Sequence, residues 1–255
     1  MEIEQPTVSR KLAFVSGGSK GIGLATVKAL VAENFQVVTC GRDRTTWTEN
    51  LLGDPALADS VDFQQCDLSN ASALDALFAY IGARHGCLDV AVNNASPALA
   101  STGVFSGVPP SALFETLISD LWVPAQCMRH ELGMMHGRGS IINISSINGS
   151  RPTAGAAMYS AAKHGLAGLT KSVALEALKQ GVRVNAIAPG ATWTPRWEAR
   201  IAVGKANRDD VEKHIPLGRF ATSAEIAAAV VWLASDKAAY IVGHTLVMDG
   251  GLSLT

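Results

Sequence analysis

"SGGSKGIG" (residues 16–23) lies between the apolar run "KLAFV" (11–15) and the helical pattern "LATVKALVAEN" (24–34). Four of its eight residues are glycine. At the join of a strand and a helix, glycines let the backbone turn sharply and approach a ligand, and the helix they open presents unpaired N–H groups. Such a helix start binds phosphate. The spacing is GxxxGxG, through Gly17, Gly21 and Gly23, and it is not a Walker loop because Lys20 is followed by Gly21 where that loop has Ser or Thr. A tight turn with no ligand is the competing reading of these eight residues alone.

The rest of the chain repeats the alternation. "LAFVS", "QVVTCG", "VDFQQC", "LDVAVNN", "SIINIS", "VRVNAIA" and "HTLVMD" are short apolar or β-branched runs, separated by patterns rich in Ala, Leu, Glu and Lys. Nearly continuous apolar strands with helices between them predict a parallel sheet covered on both faces, a doubly wound α/β Rossmann fold. No linker, repeat or low-complexity tract divides residues 1–255, so one domain is expected. Residues 192–216, "TWTPRWEARIAVGKANRDDVEKHIP", form the one long insertion between the last strands.

Composition narrows the function. A chain of 255 residues, 48% hydrophobic and 17% charged, buries a substantial core. A formal net charge of -1 without a basic block argues against nucleic-acid binding and points to a small-molecule partner. Cys40, Cys66, Cys87 and Cys127 are scattered, as expected of reduced, mostly buried thiols in the cytoplasm. The N-terminus has no signal-peptide pattern, and no run of about 18 apolar residues suggests a membrane span. "HELGMMH" places His130, Glu131 and His136 together, but the spacing is not HExxH and no metal site is expected.

A second stretch, "MYSAAKHGLAGLTKSVALEAL" (158–178), sets Tyr159 and Lys163 four apart on a helix, so both lie on one face a turn apart. Ser146 follows the strand "SIINIS", at the carboxyl edge where open α/β sheets bind ligands. A hydroxyl, a phenol and an ammonium are thereby brought toward one substrate atom. An ordinary helical tyrosine and a solvated lysine are the alternative for the YxxxK pattern taken alone.

Taken in order, "SGGSKGIG", "CDL", "NNAS", "INISS", "YSAAK", "NAIAPG" and "YIVGHTLVMDGG" resemble the short-chain dehydrogenase/reductase family over essentially the whole chain. The resemblance implies that Gly17, Ser19, Lys20, Gly21, Ile22 and Gly23 cradle a nicotinamide dinucleotide's pyrophosphate. Asp67 and Leu68 would flank the adenine, and Asn93, Asn94 and Ala95 would line the nicotinamide-ribose side. Pro189, Gly190, Thr192 and Thr194 would hold the carboxamide end, while Ser146, Tyr159 and Lys163 carry out hydride-linked chemistry on a carbonyl or alcohol. It also implies a mobile substrate lid at residues 192–216 and a homotetramer, or a dimer, built on residues 111–136 and 157–180.

Two positions depart from that family's pattern. Ser96 replaces the glycine of Asn-Asn-Ala-Gly, and Asp120 stands where an asparagine usually anchors a proton relay to the catalytic lysine. At the end of the second predicted strand, "VVTCGRD" has Gly41 and Arg42 where an NAD-preferring site has an acid. Arg42 with Lys20 would pair with a 2′-phosphate, so NADP(H) is expected over NAD(H), with Asp43 as the rival ligand for the ribose. A cofactor sensor without turnover, or a plain α/β scaffold, fits less well because Ser146, Tyr159 and Lys163 are all present.

Overall fold

A computed structural model describes residues 10–255, the side chain of Leu52 excepted; residues 1–9 of the expected domain lie outside the described residues. Within these, the apolar runs pair as one parallel seven-stranded sheet in the order β3-β2-β1-β4-β5-β6-β7. The strands are β1 (Leu12–Ser16), β2 (Gln36–Gly41), β3 (Val61–Gln65), β4 (Val90–Asn93), β5 (Gly139–Ile144), β6 (Val182–Pro189) and β7 (Thr245–Met248). The helices are α1 (Gly21–Ala32), α2 (Arg44–Gly53), α3 (Ala71–His85), α4 (Pro110–Leu117), α5 (Val123–Met134), α6 (Ala157–Ala177), α7 (Pro195–Ala202), α8 (Arg208–Lys213) and α9 (Ser223–Ala234).

Both faces of the sheet are buried because successive strand residues point opposite ways and nearly all are apolar. Leu12 and Phe14 of β1 face α3, α5 and α6, with Phe78, Cys127 and Leu166 in the same cluster. Ala13 and Val15 face α1 and α9, joined by Val27, Leu30, Ile226 and Val230. Phe14 meets Phe78 edge-on at 5.2 Å. Burying one such aromatic or leucine side chain contributes about 1.5–3 kcal/mol. Helix starts are capped locally: Asn70 accepts from Ala73 N at α3, and Thr222 and Glu225 form a reciprocal capping box at α9. Three of the four thiols, Cys40, Cys66 and Cys127, are buried and Cys87 is exposed, none of them in a disulfide. Among the described residues, no helix is long and apolar enough to cross a membrane.

The strand order reverses between β1 and β4, which opens a crevice at their carboxyl ends. The glycine-rich turn closes one side of it. Thr39 of β2 ties that turn down, donating from Oγ1 to the Val15 carbonyl (2.7 Å) and accepting from Gly18 N (3.1 Å). A Cβ on Gly18 would stand 2.1 Å from that hydroxyl, so this glycine serves packing rather than a ligand. A Cβ on Gly23 would lie 2.2 Å from the Gly17 carbonyl oxygen and 2.5 Å from Asn94 Nδ2. Gly23→Ala is therefore expected to cost about 1–3 kcal/mol in urea denaturation. Gly53→Ala, where a Cβ meets nothing within 4 Å, is the control, expected to change stability by less than about 0.5 kcal/mol.

Candidate active site

The glycine turn is bolted to the end of β4. Ser16 Oγ accepts from the backbone N–H groups of Asn94 and Ala95, each at 3.0 Å. Asn94 Nδ2 donates in return to the carbonyls of Ser16 and Gly17, both at 3.0 Å. Gly17 (φ 69°) and Gly21 (φ 57°) take left-handed backbone conformations that side chains disfavour. Helix α1 starts at Gly21 with Lys20 as N-cap and no side-chain cap, so its first N–H groups are available to an anion.

Several expected cofactor residues are directed elsewhere. Asn93 is 3% exposed, and its Nδ2 donates to Glu131 and Asn143 beneath the strand ends instead of into the crevice. Ile22 packs against the α1/α9 face and Leu68 belongs to the opposite core, so these two offer the crevice backbone only. Asp67 stays at the surface, where its hydrogen bonds from Ser69, with Arg42 nearby, hold its carboxyl below the usual range. The Ser19 carbonyl accepts from Asn50 Nδ2 at 3.0 Å.

At the end of β2 the rival acid is occupied. Asp43 Oδ1 accepts from Thr45 N (2.9 Å) and Oδ2 from Thr46 Oγ1 (2.7 Å), which caps α2 and lowers the carboxyl's pKa. Arg42 and Lys20 are exposed, and among the described residues neither side chain is in a salt bridge.

Lys163 occupies the other side of the crevice, and its ammonium is almost wholly buried. Nζ donates to the Ile144 carbonyl at the end of β5 (3.2 Å) and stands 3.1 Å from Asp120 Oδ1. The approach to Oδ1 is a close ion pair off the hydrogen-bonding direction, which is why that oxygen counts as buried without a hydrogen-bond donor. Nζ also lies 5.5 Å from the centre of the Tyr159 ring. Asp120 arrives there through a π-helical turn, Ile118–Trp122, between α4 and α5, a device often found at functional sites. Ser146 lies two residues beyond Ile144, and its Oγ accepts from Asn148 N (3.2 Å), capping the short turn Ile147–Gly149. Gly149 packs this turn onto α6, where a Cβ would come within 2.8 Å of the Lys163 carbonyl.

The insertion meets the crevice on the side of the glycine turn and the segment after β4. Pro189 ends β6, and Gly190 N donates to Met248 O (2.9 Å). Thr192 is buried and bridged to Ala221. Thr194 packs toward the glycine turn, its Cγ2 3.4 Å from where a Cβ on Gly21 would be. Arg196, which no motif singled out, donates from Nη2 to the Pro97 carbonyl (2.9 Å), to Ser96 Oγ (3.2 Å) and to the Ser96 carbonyl. A bond between residues 100 positions apart leaves no local signal in the sequence. Trp193 and Trp197 set their edges against Phe220 at 5.3 and 5.1 Å. Arg208 and Arg200 lie over the two indole faces. His130 pairs with Asp75 and stacks on Phe78, and among the described residues no group of three His, Cys, Asp or Glu is placed to hold a metal.

Comparisons with known proteins fit this geometry. A family model described as enoyl-(acyl carrier protein) reductase matches residues 17–253. Short chain dehydrogenase/reductase astE of Aspergillus oryzae is 35% identical over 258 residues, spanning 96% of this chain and 95% of that protein. The chain belongs to the short-chain dehydrogenase/reductase family. Acetoacetyl-CoA reductase of an Acinetobacter species is 36% identical over 250 residues, covering 95% of this chain and 98% of its own. A variant of the actinorhodin polyketide ketoreductase, crystallised with NADPH, superposes with a TM-score of 0.90 at 28% identity, covering 98% of this chain and 100% of that one.

As a short-chain dehydrogenase/reductase, the protein is an oxidoreductase acting on alcohol and carbonyl groups. Within that family its two departures are both engaged: Ser96 receives Arg196, and Asp120 meets Lys163 directly. Asp120→Asn keeps an acceptor facing Nζ and is expected to retain activity while moving the pH optimum. Asp120→Ala leaves a buried ammonium with one protein partner, expected to cost on the order of 3 kcal/mol of stability and to lower kcat about tenfold or more. Urea denaturation and pH–rate profiles of both variants check this; an Ala variant matching wild type in both measurements would remove Asp120 from the site.

Proposed function

We propose that this protein reduces a ketone with NADPH, the substrate being a 3-oxoacyl thioester or a related small ketone. The observation that carries the reading is the buried Lys163 ammonium, held by Asp120 and the Ile144 carbonyl beneath Tyr159. The cofactor fits the crevice on three counts: a turn whose Gly17 and Gly21 hold left-handed backbone conformations, an uncapped helix start behind it, and Lys20 and Arg42 exposed at its edge. With Asp43 committed to its helix, these cations are the groups left for the adenosine ribose, and they favour a 2′-phosphate. The nicotinamide, when bound, supplies the hydride.

The chain's own residues handle the proton and the aim. The Ser146 hydroxyl already accepts from Asn148, so its O–H is left to donate to the substrate oxygen and hold it as charge develops. Tyr159 delivers the proton to that oxygen, and the Lys163 charge favours the phenolate left behind. An ammonium has three donors; one serves Ile144, and because Asp120 is paired by charge off the hydrogen-bonding direction, a donor is left for a ribose hydroxyl. Residues 192–216 act as the lid, with Arg196 fastening it to Ser96 and Pro97. The substrate class is supported by the named activities of the two relatives, an acetoacetyl-CoA reductase and a polyketide ketoreductase. Phe114, Trp122 and Leu175, apolar and 64%, 55% and 70% exposed, mark the faces on which further copies would assemble a homotetramer.

Steady-state kinetics test the cofactor: kcat/KM is expected to favour NADPH over NADH, and Arg42→Ala to narrow the preference about tenfold, the worth of one charge-assisted bond. A wild type that prefers NADH contradicts the assignment. Tyr159→Phe is expected to lower kcat by roughly 10²–10⁴-fold with NADPH affinity largely unchanged. A variant retaining more than about a tenth of wild-type kcat would contradict the role of the phenol.

A further inference from the structure

A line of hydrogen bonds beneath the crevice passes through four of the elements that build it, and it fixes its own direction. The Leu166 carbonyl on α6 can only accept, so Thr170 Oγ1 donates to it (2.8 Å). Thr170 Oγ1 accepts in turn from Asn143 Nδ2 of β5 (2.9 Å). That orientation leaves Asn143 Oδ1 to accept from Asn93 Nδ2 of β4 (3.0 Å), and Asn93 gives its other hydrogen to Glu131 Oε2 of α5 (3.1 Å). With its nitrogen fixed as the donor, Asn93 presents Oδ1 as an acceptor. Among the described residues, Asn93 Oδ1 and Glu131 Oε1 are both buried and both lack a partner.

The two orphans belong to the two groups that share the last bond of the line. If Glu131 were ionised, both would be unpaired acceptors, and a fully buried carboxylate would stand without a cation. A single proton satisfies both. We propose that Glu131 is held protonated and donates from Oε1 to Asn93 Oδ1, forming a carboxylic acid–amide pair that ends the line. Glu131 is thereby a positioning residue: Asn93 immediately precedes Asn94, which clamps the glycine turn, and Asn143 lies three residues before Ser146.

Burial agrees, pushing the Glu131 carboxyl up from 4.5 to about 8 against the bond from Asn93. Of the groups that face it, none titrates in that range. Cys127, one turn earlier on α5, has its thiol raised well above the usual value by burial and by Glu131, with Cys40 and Cys66 beyond it. The facing atoms of Asn93, Asn143, Thr170 and Met128 are neutral, and His130 turns away to Asp75 and Phe78. Between pH 4.5 and about 8 the folded protein keeps a proton that the unfolded chain has released. The stabilisation is therefore complete below that window and declines as pH rises through it, the folding constant falling about tenfold per pH unit.

Glu131→Gln separates the proton from the bonds, because an amide donates to Asn93 Oδ1 and accepts from Nδ2 without titrating. Wild type at pH 7 is expected to show the infrared carbonyl band of a protonated carboxyl, absent from E131Q. The stability advantage of E131Q over wild type should grow from pH 5 to 8 in urea denaturation. The Kd for NADPH should rise with Glu131 ionisation in wild type and stay flat in E131Q. Glu131→Leu, which orphans Asn93 Oδ1, should be less stable than E131Q. Absence of the band, parallel stability–pH curves, matching pH curves of the Kd, or an E131Q that fails to fold would each overturn the proposal. The NADPH arm alone rests on the proposed function: if neither protein binds NADPH while the band and stability differences are present, that reading fails and the acid–amide pair stands.

Discussion

One buried charge sets the terms for this crevice. An ammonium taken out of water costs several kcal/mol unless its partners are close and well placed. Lys163 meets that condition only because two separate segments converge on α6. The end of β5 brings the Ile144 carbonyl, and the π-helical turn brings Asp120. The approach is close enough to require glycine at 149, where a Cβ would stand 2.8 Å from the Lys163 carbonyl, and it is tight at Gly165, where one would meet the Leu121 side chain at 3.0 Å. Packing thus leaves the lysine one place to be, with its Nζ 5.5 Å from the centre of the Tyr159 ring.

The opposite wall follows the same logic with neutral groups. Asn94 and Ala95 donate four hydrogen bonds to Ser16 and Gly17 across the ends of β4 and β1, and Thr39 adds two more from β2, so the glycine turn is held before any phosphate arrives. A turn that is already ordered loses little conformational freedom when it binds. The arrangement also explains why β4 ends at Asn93, short of the run "LDVAVNN" expected from its composition: Asn94 leaves the ladder to serve the turn.

The fold was legible because its signal is local and repeated. Seven apolar runs alternate with helical patterns, and each observed strand falls within one residue of a predicted run except β4, where Leu88 and Asp89 precede the ladder. The glycine turn and the pairing of Tyr159 with Lys163 were legible for the same reason, since spacing along one element fixes which side chains share a face. Family resemblance did not resolve what neighbouring strand residues do separately. Asn93 and Asn94 were expected to act together, yet strand alternation sends one to the buried Glu131 and the other to the glycine turn. The same period of two was present in the sequence and would have separated them. Arg196 on Ser96 and Pro97, and Glu131 on Asn93, depend on chain crossings that no spacing encodes. The commitment of Asp43 to α2 is different: an acid at a helix start, with two threonines beginning two residues on, is an N-cap signal that could be weighed beforehand.

The central claim is that this buried lysine and its tyrosine serve hydride delivery to a ketone. The most direct measurement follows the hydrogen itself, using NADPH deuterated at the transferring carbon of its nicotinamide and a 3-oxoacyl thioester, with the product examined by mass spectrometry and NMR. The account predicts one deuterium on the new carbinol carbon, in a single configuration, and none when Lys163 is replaced by Met. Cofactor bound by the wild type with no deuterium delivered to this or any other ketone of a broad panel would contradict it.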